Sequence, residues 1–225
     1  YIGLNRKWGV SQISFSTFNQ VLGLPEGDRD SLGNFMIPFA LNDTTEEFQS
    51  FTSSQLNGFD HSIEIPRQSV RHHRIVLSNN LFFGRSQLKI DLGLQQNNRF
   101  EFGNVLAENE AELAMHLNTI TANSVYFFPE KNGGQITTGI NAQHQTNKNS
   151  GLEFIIPDYT MFDAGAYIFA RKSCGSWYMS AGVRGDVRNL NSQSLFLDSA
   201  GTATDSSAVS ITKFEEFGKQ FVSVS

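Results

Sequence analysis

The stretch Gln87-Leu88-Lys89-Ile90-Asp91-Leu92-Gly93-Leu94-Gln95 decides the fold of this chain, because its apolar and polar residues alternate. Successive side chains of a β-strand point to opposite faces, so the stretch has one apolar face and one polar face. The alternation lasts about ten residues, whereas strands of soluble domains average about five or six. A tilted strand needs about nine to eleven residues to cross a bilayer. The stretch therefore predicts a strand of an outer-membrane β-barrel.

The composition of the 225 residues excludes a helical membrane protein. Hydrophobic residues make up 39% and mean hydropathy is −0.28. The longest apolar run, residues 36–41, is interrupted by Pro38 and is far shorter than the ~18 residues of a spanning helix. A β-barrel tolerates such a composition, because only alternate residues face lipid. The net charge of −5 argues against nucleic acid as a main partner. The single Cys174 excludes an internal disulfide and a Cys-rich zinc site.

The whole chain repeats this rhythm, which predicts an all-β, antiparallel up-and-down meander of about eight strands, a partial segment of a transmembrane barrel. The predicted strands are residues 8–22, 70–83, 87–96, 112–128, 135–145, 160–171, 177–188 and one that begins near Phe214. Short turns (5–7, 84–86, 129–134, 172–176) alternate with long loops (23–69, 97–111, 146–159, 189–213). In an up-and-down barrel this places every turn on one side and every loop on the other, as in outer-membrane proteins.

Aromatic residues cluster beside the short turns, as expected for a girdle at one membrane interface. They are Tyr1, Trp8, Phe82, Phe83, residues 126–128, Phe169, Trp177 and Tyr178. The competing explanation is that aromatic residues pack well in any β-sheet. That explanation does not predict their concentration at one end of the strands.

The strand faces give a prediction for individual residues. A basic residue facing lipid at the bilayer midplane costs ~2–4 kcal/mol, so the charged rows should face the lumen. The predicted lumen-facing residues are Lys89, Asp91, Arg184, Asp186 and Arg188, and the predicted lipid-facing residues are Leu88, Ile90, Leu92, Met179 and Val183. Contact with a plug or a polar substrate, and simple hydration of the interior, are both open as roles of the charged row.

Both ends of the sequence predict an internal piece of a longer protein. The chain opens on the strand-like Tyr1-Ile2-Gly3-Leu4 without a signal peptide, and it stops within an alternating run that ends at Ser225. We therefore expect residues 1–225 to be a single segment of one β-barrel domain.

Six stretches, which together span most of the chain from about Trp8 to Arg188, carry a family likeness. They are SQISFS (11–16) with the distal Gly23-Leu24, PRQSVRHH (66–73), LGLQQNNRFEF (92–102), TGINAQHQ (138–145), GLEFIIPDY (151–159) and AGVRGDVR (181–188). In this order the chain resembles the barrel portion of a TonB-dependent outer-membrane receptor of the Bacteroidetes type. The plug domain and the C-terminal strands of that family are absent from this sequence.

The resemblance implies a 22-stranded barrel in the outer membrane of a Gram-negative bacterium, closed by a plug domain of the same polypeptide. Such receptors bind a scarce small-molecule nutrient (a ferric siderophore, haem, cobalamin or a glycan) and import it with energy from TonB, which contacts the missing N-terminal region. The implied partners are thus outer-membrane lipid, the plug, TonB and the nutrient. No cofactor is implied.

The sequence offers no catalytic motif: no Gly-x-Ser-x-Gly elbow, no phosphate-binding loop and no His-Glu-x-x-His helix. We therefore do not expect an enzyme, and a hydrolase is the last alternative.

The candidates for ligand binding are His61, His144, Asp158 and Tyr159. For both histidines the favoured explanation is a solvated or lumen-facing side chain without a binding role. Acidic strings at 26–30 and 108–112 do not match a calcium loop. The main alternative is a soluble secreted β-sandwich that binds carbohydrate, with Trp177 as a sugar platform.

Overall fold

The computed structural model describes residues 1–24, 28–56, 63 and 65–225. Almost all regular structure in these residues is β. The elements are β1 (Ile2–Arg6), β2 (Gly9–Gly23), β3 (Phe35–Asn42), β4 (Thr45–Phe51), α1 (Ser53–Leu56), β5 (Arg67–Phe83), β6 (Ser86–Phe102), β7 (Leu113–Phe127), β8 (Gly134–Asn149), β9 (Tyr159–Cys174), β10 (Trp177–Ser192), β11 (Leu195–Leu197), β12 (Ala203–Thr204), β13 (Ile211–Phe214) and β14 (Phe217–Val224).

One antiparallel sheet dominates the fold. Its nine strands follow the order β1-β2-β5-β6-β7-β8-β9-β10-β14, so each strand pairs with its neighbours along the main meander. The predicted antiparallel meander is confirmed, with one strand more than the expected eight because residues 2–6 also pair. The short connections lie at one end of the sheet, here called the turn end. The long connections lie at the opposite end, here called the loop end.

The long strands extend further towards the loop end than the sequence pattern predicts. β5 and β6 each have 17 residues, and the ladder between them runs from Phe83–Ser86 to Arg67–Phe102. The alternation of β6 fades after Gln96, but backbone hydrogen bonds do not depend on side-chain polarity, so pairing continues through polar residues. The connections at 103–112 and 150–158 are correspondingly shorter than the predicted loops.

Two of the long connections contain structure of their own. The β2–β5 connection holds the β3–β4 hairpin and the one-turn helix α1. The β10–β14 connection holds a small sheet of order β12-β11-β13. The sequence pattern missed β3 because Pro38 interrupts it, although Pro is tolerated in edge strands.

The tight turns form as the sequence predicts. Asn132 and Gly133 both have positive φ, 51° and 71°, and the amides and carbonyls of Lys131 and Gly134 pair at 2.9 and 3.0 Å. Glycine accepts this left-handed backbone without steric cost, which fixes the reversal between β7 and β8.

The strand register divides the sheet into two faces of different chemistry. The Ile90 face carries the side chains of Ile90, of every second residue of β6 counted from Ile90, and of the residues that pair with these across the sheet. The Lys89 face carries the remaining side chains of the sheet. One row of the Ile90 face crosses all nine strands and is entirely apolar: Ile2, Ile13, Leu77, Leu92, Ala122, Ala142, Ala164, Val187 and Val222. A one-residue slip in any pair would break this row, so the register is strongly specified.

Neither face of the large sheet is covered by a second layer in the described residues. Every extensive contact between elements joins hydrogen-bonded neighbours. Among the residues that the structure describes, the buried hydrophobic ones are Ile65, Val105, Leu113 and Ala114, all near the loop end. The second sheet that a β-sandwich requires is therefore not found in this part of the chain. None of the described helices is long and apolar enough to cross a membrane.

Candidate functional site on the Lys89 face

Charge is sorted between the two faces of the nine-stranded sheet. Every carboxylate in its strands lies on the Lys89 face: Asp91, Glu101, Asp163 and Asp186. The Ile90 face carries cations only near its ends: Arg6 and Lys172 at the turn end, and Arg67, Arg71 and Lys148 at the loop end. Between these cations the Ile90 face has no Asp, Glu, Lys or Arg. Any charged functional site in the middle of the sheet must therefore lie on the Lys89 face.

The structure places the predicted lumen-facing and lipid-facing residues on opposite faces of the sheet. Lys89, Asp91, Arg184, Asp186 and Arg188 all lie on the Lys89 face. Leu88, Ile90, Leu92, Met179 and Val183 all lie on the Ile90 face.

The most connected group on the Lys89 face is the Arg184 cluster, defined as Arg184, Asp186, Asn141 and Gly165. The Nε of Arg184 donates to Asp186 Oδ2 at 2.7 Å, and its Nη2 donates to Asn141 Oδ1 at 2.8 Å. A second contact from Nη2 to Asp186 Oδ1 makes the ion pair bidentate. A bidentate guanidinium–carboxylate pair fixes the orientation of both planar groups. Both charged side chains are about one-third exposed, so solvent reaches the cluster.

Gly165 makes this convergence possible. It pairs directly with Asp186 on β10 and with Asn141 on β8, so it is the middle residue of the row. A Cβ at this position would overlap Asp186 Oδ1 and lie 2.8 Å from Arg184 Nη2. The glycine therefore leaves space for a charged side chain to lie across β9.

A second ion pair lies one row nearer to the loop end. The Nε and Nη2 of Arg188 donate to the two oxygens of Asp163 at 2.7 and 2.8 Å. With the Arg184 cluster, this pair lines a depression of about 550 Å³ that Leu190 and Phe221 complete on the side of β14. The depression presents paired charges of both signs next to apolar surface, which suits a polar, uncharged or zwitterionic group.

The rest of the Lys89 face is polar along the same level of the sheet. The row through Asp186 continues as Gly165, Asn141, Asn123, Asp91, Ser78 and Gln12. Lys89 lies one row nearer to the turn end, with its Nζ 5.4 Å from the centroid of the Phe127 ring. This row is hydrated or covered by another polar surface, because seven polar or glycine positions cannot form an apolar contact.

The remaining candidate ligand residues do not come together. His144 lies on the Ile90 face, in a row with Ile120 and Phe162, and not on the face that carries Tyr159. His61 lies outside the described residues.

Asp158 and Tyr159 hold the base of the β8–β9 connection. Asp158 Oδ1 accepts the backbone amide and the Nδ2 of Asn149, both at 2.8 Å. The Tyr159 hydroxyl donates to Gln145 Oε1 at 2.9 Å. These contacts give both residues structural roles and leave Asp158 next to a loop-end depression of about 350 Å³.

The adjacent histidines His72 and His73 point to opposite faces, because successive residues of one strand do. His72 contacts Asn97 Nδ2 at 3.2 Å on the Lys89 face, and His73 contacts Thr17 Oγ1 at 3.0 Å on the Ile90 face. Among the described residues, no group of three or more His, Cys, Asp or Glu could hold a metal ion.

Sequence reasoning missed Asn141, Asp163 and Asn147 on the Lys89 face. The first two contact the predicted arginines through the strand register, which the sequence does not state. Asn147 is 1% exposed, and its Oδ1 has no hydrogen-bond partner among the described residues. A buried amide oxygen without a donor is costly, so water or another polypeptide segment is expected to donate to it.

No protein-family model, curated protein or solved structure matches the chain.

Proposed function

We propose that this chain is part of the barrel of a TonB-dependent outer-membrane receptor, which binds a scarce nutrient and imports it. The observation that supports the proposal is the apolar band of the Ile90 face, free of charge between its ends. In the proposal this face contacts lipid, and the Lys89 face lines the lumen.

Exposure on the Ile90 face argues for lipid as its environment. Ile140 and Phe15 are each 62% exposed, and Leu94 is 51% exposed. Burying a Val, Leu, Ile, Phe or Met side chain is worth about 1.5–3 kcal/mol, and this face offers such side chains on every strand without a protein layer among the described residues to bury them. Contiguous apolar patches of this kind mark protein or membrane contacts.

The apolar band covers most of the height of a bilayer core. On β6 it runs from Leu88 to Leu94, and on β5 from Phe83 to Ile75 with Asn79 as its one polar residue, or roughly 20–26 Å of strand. At a strand tilt of about 35–45° this is roughly 14–21 Å along the membrane normal, against about 25 Å for the apolar band of outer-membrane barrels. The polar row that follows contains Thr17, His73, Gln96, Asn118 and Thr146, as expected where the strands leave the hydrocarbon.

The loop end is the proposed ligand side. The long connections provide surface for ligand capture, while the Lys89 face offers the Arg184 cluster and the Arg188–Asp163 pair along the path below. Paired charges with water access can guide a polar solute without trapping it. The proposal assigns no reaction chemistry to these residues.

The single cysteine of residues 1–225 provides a test of orientation, in a background without other cysteines. Cys174 is exposed and lies at the turn end, so it should face the periplasm. In intact cells a membrane-impermeant maleimide should not label it, but should label Ser199→Cys in a Cys174→Ser background, because Ser199 is exposed at the loop end. Permeabilising the outer membrane should expose both. Equal labelling in intact cells, with extraction of the protein without detergent, would favour the secreted carbohydrate-binding module.

Energy coupling needs a separate test. Cells that depend on one scarce nutrient should lose growth when either this protein or TonB is deleted, and the double deletion should be no worse. Growth that needs this protein but not TonB would indicate a passive pore and would contradict TonB-dependent import.

A further inference from the structure

We propose that a groove at the turn end of the Ile90 face binds an anionic phospholipid, with one acyl chain along the groove and the phosphate between Lys131 and Lys172. The inference rests on the proposed membrane location of the Ile90 face and goes beyond it by assigning a lipid class and a site.

The groove is built by small residues between larger ones. Ile136, Ala170 and Ala181 form one row across β8, β9 and β10, and they make its floor. Phe128 lies on one side and Met179 on the other. The volume is about 510 Å³. The two small alanine side chains leave space above the floor, which an apolar group such as an acyl chain can occupy between Phe128 and Met179.

Two lysines stand at the mouth of the groove. The Lys131 carbonyl oxygen and the Lys172 Cδ both lie close to Gly134, at 3.4 and 3.3 Å from where its Cβ would be, so the two residues are neighbours across the β8 terminus. Both lysines are exposed, and neither forms an ion pair with a described residue. Both lysines line the groove, so its mouth presents two uncompensated ammonium groups beside an apolar floor.

The whole turn end is cationic. Its exposed charged residues are Arg6, Lys7, Arg85, Lys131, Arg171 and Lys172, against the single carboxylate of Glu130. The chain as a whole is acidic, with a net charge of −5, so this excess is local. Basic residues beside a membrane surface attract anionic lipid.

A lipid fits this surface better than an acidic polypeptide. An acidic peptide could pair with the lysines, but its polar backbone would leave the floor of Ile136, Ala170 and Ala181 uncovered. A phospholipid satisfies both parts at once, because its phosphate and its acyl chain are covalently joined. Charge complementarity and the apolar floor together select an anionic phospholipid.

Trp177 provides a local reporter. It lies on the Ile90 face two residues from Met179 and is 77% exposed. Replacing Trp8 and every tryptophan outside residues 1–225 by phenylalanine leaves Trp177 as the reporter, since these residues contain two tryptophans. The full-length protein in vesicles is titrated with brominated phosphatidylglycerol or brominated phosphatidylcholine, and quenching of Trp177 gives the relative affinity.

We expect about a 25-fold preference for phosphatidylglycerol, since each of the two lysines beside an anionic headgroup is worth about fivefold. The double substitution Lys131→Gln and Lys172→Gln should reduce this lipid preference to below about twofold. Ala170→Leu should also reduce the preference, because the larger side chain fills the groove. The matched controls, Lys148→Gln at the loop end and Ala142→Leu in the middle of the same face, should keep it. Lys131→Arg with Lys172→Arg should also keep it, which separates charge from folding.

The outcomes are distinct. Equal quenching by both lipids, or a preference that survives the double glutamine variant, would overturn the lipid site while leaving the membrane proposal intact. Displacement of the brominated lipid by glycerol phosphate would show a site for the free headgroup, and displacement by polyglutamate a site for an acidic polypeptide; either result overturns the inference. Absence of quenching by both lipids would contradict the membrane location itself.

Discussion

Replacing Ile90 by lysine is the sharpest test of which solvent the Ile90 face meets. Ile90 lies near the middle of the apolar segment of β6, between Leu88 and Leu94. If lipid covers this face, the substitution places an ammonium group in hydrocarbon at a cost of about 2–4 kcal/mol. The ratio of folded to unfolded protein should then fall by about 30-fold to about 900-fold.

Two matched substitutions control for strand propensity and for charge. Asn98→Lys introduces the same side chain on the same strand and face, but in the row of Arg71 and Lys148 at the loop end, where the cost should be about 0–1 kcal/mol. Lys89→Gln alters the opposite face and removes only the contact with Phe127, also worth below about 1 kcal/mol.

Urea titration of the full-length protein in vesicles, followed by the electrophoretic shift between folded and unfolded forms, gives the three free energies. Costs for Ile90→Lys and Asn98→Lys that agree within about 0.5 kcal/mol would refute a depth-dependent apolar environment. A large cost for Lys89→Gln alone would reverse the assignment of the faces.

Three further predictions concern the polar face, a loop and a turn. Gly165→Ala should destabilise the protein by about 1–3 kcal/mol because its Cβ overlaps the Asp186 carboxylate, whereas Gly185→Ala meets open space and should be nearly neutral; urea titration compares the two. Hydrogen bonds from Asn34, and more weakly from other groups, lower the pKa of Asp30 from 3.8 to about 2. This loop should therefore be fully stabilised above pH 3.8 and lose that stabilisation as the pH falls towards 2, which a carboxyl NMR titration with proteolysis would detect; a midpoint near 3.8 would contradict the bonds. Gly133→Ala should cost at least about 1 kcal/mol, because a left-handed φ and the carbonyl oxygen of Ser173 both oppose a Cβ; unchanged stability in urea would exclude this turn geometry.

Much of the fold could be predicted because a strand exposes its two faces to different surroundings. The alternation around Ile90 predicted the strand, its two faces and its place in a meander, and the short break at 129–134 predicted a turn. The strand ends were predicted too short, since polar residues after Gln96 still pair through the backbone. The alternation of apolar and polar residues does not indicate how far two strands stay paired where both of their faces are polar.

The candidate site could be predicted only in part. Arg184 and Asp186 could be predicted to share a face, because they are two residues apart in one strand. The contact of Arg184 with Asn141, 43 residues away in sequence, depends on the registers of two ladders. His144 was expected near the long loops as a ligand candidate, but parity places it on the apolar face, which the sequence could have indicated from its alternation with Ile140 and Ala142.

The pairing of each strand with a strand close in sequence has a consequence for biogenesis. Apart from the β2–β5 and β10–β14 steps, each ladder of the large sheet closes across a short segment, so most hairpins can form before the next one arrives. Local closure lowers the entropic cost of each step and favours rapid, stepwise growth of the sheet. Such a chain can be delivered to its assembly machinery as successive hairpins, each adding one edge for its successor to extend.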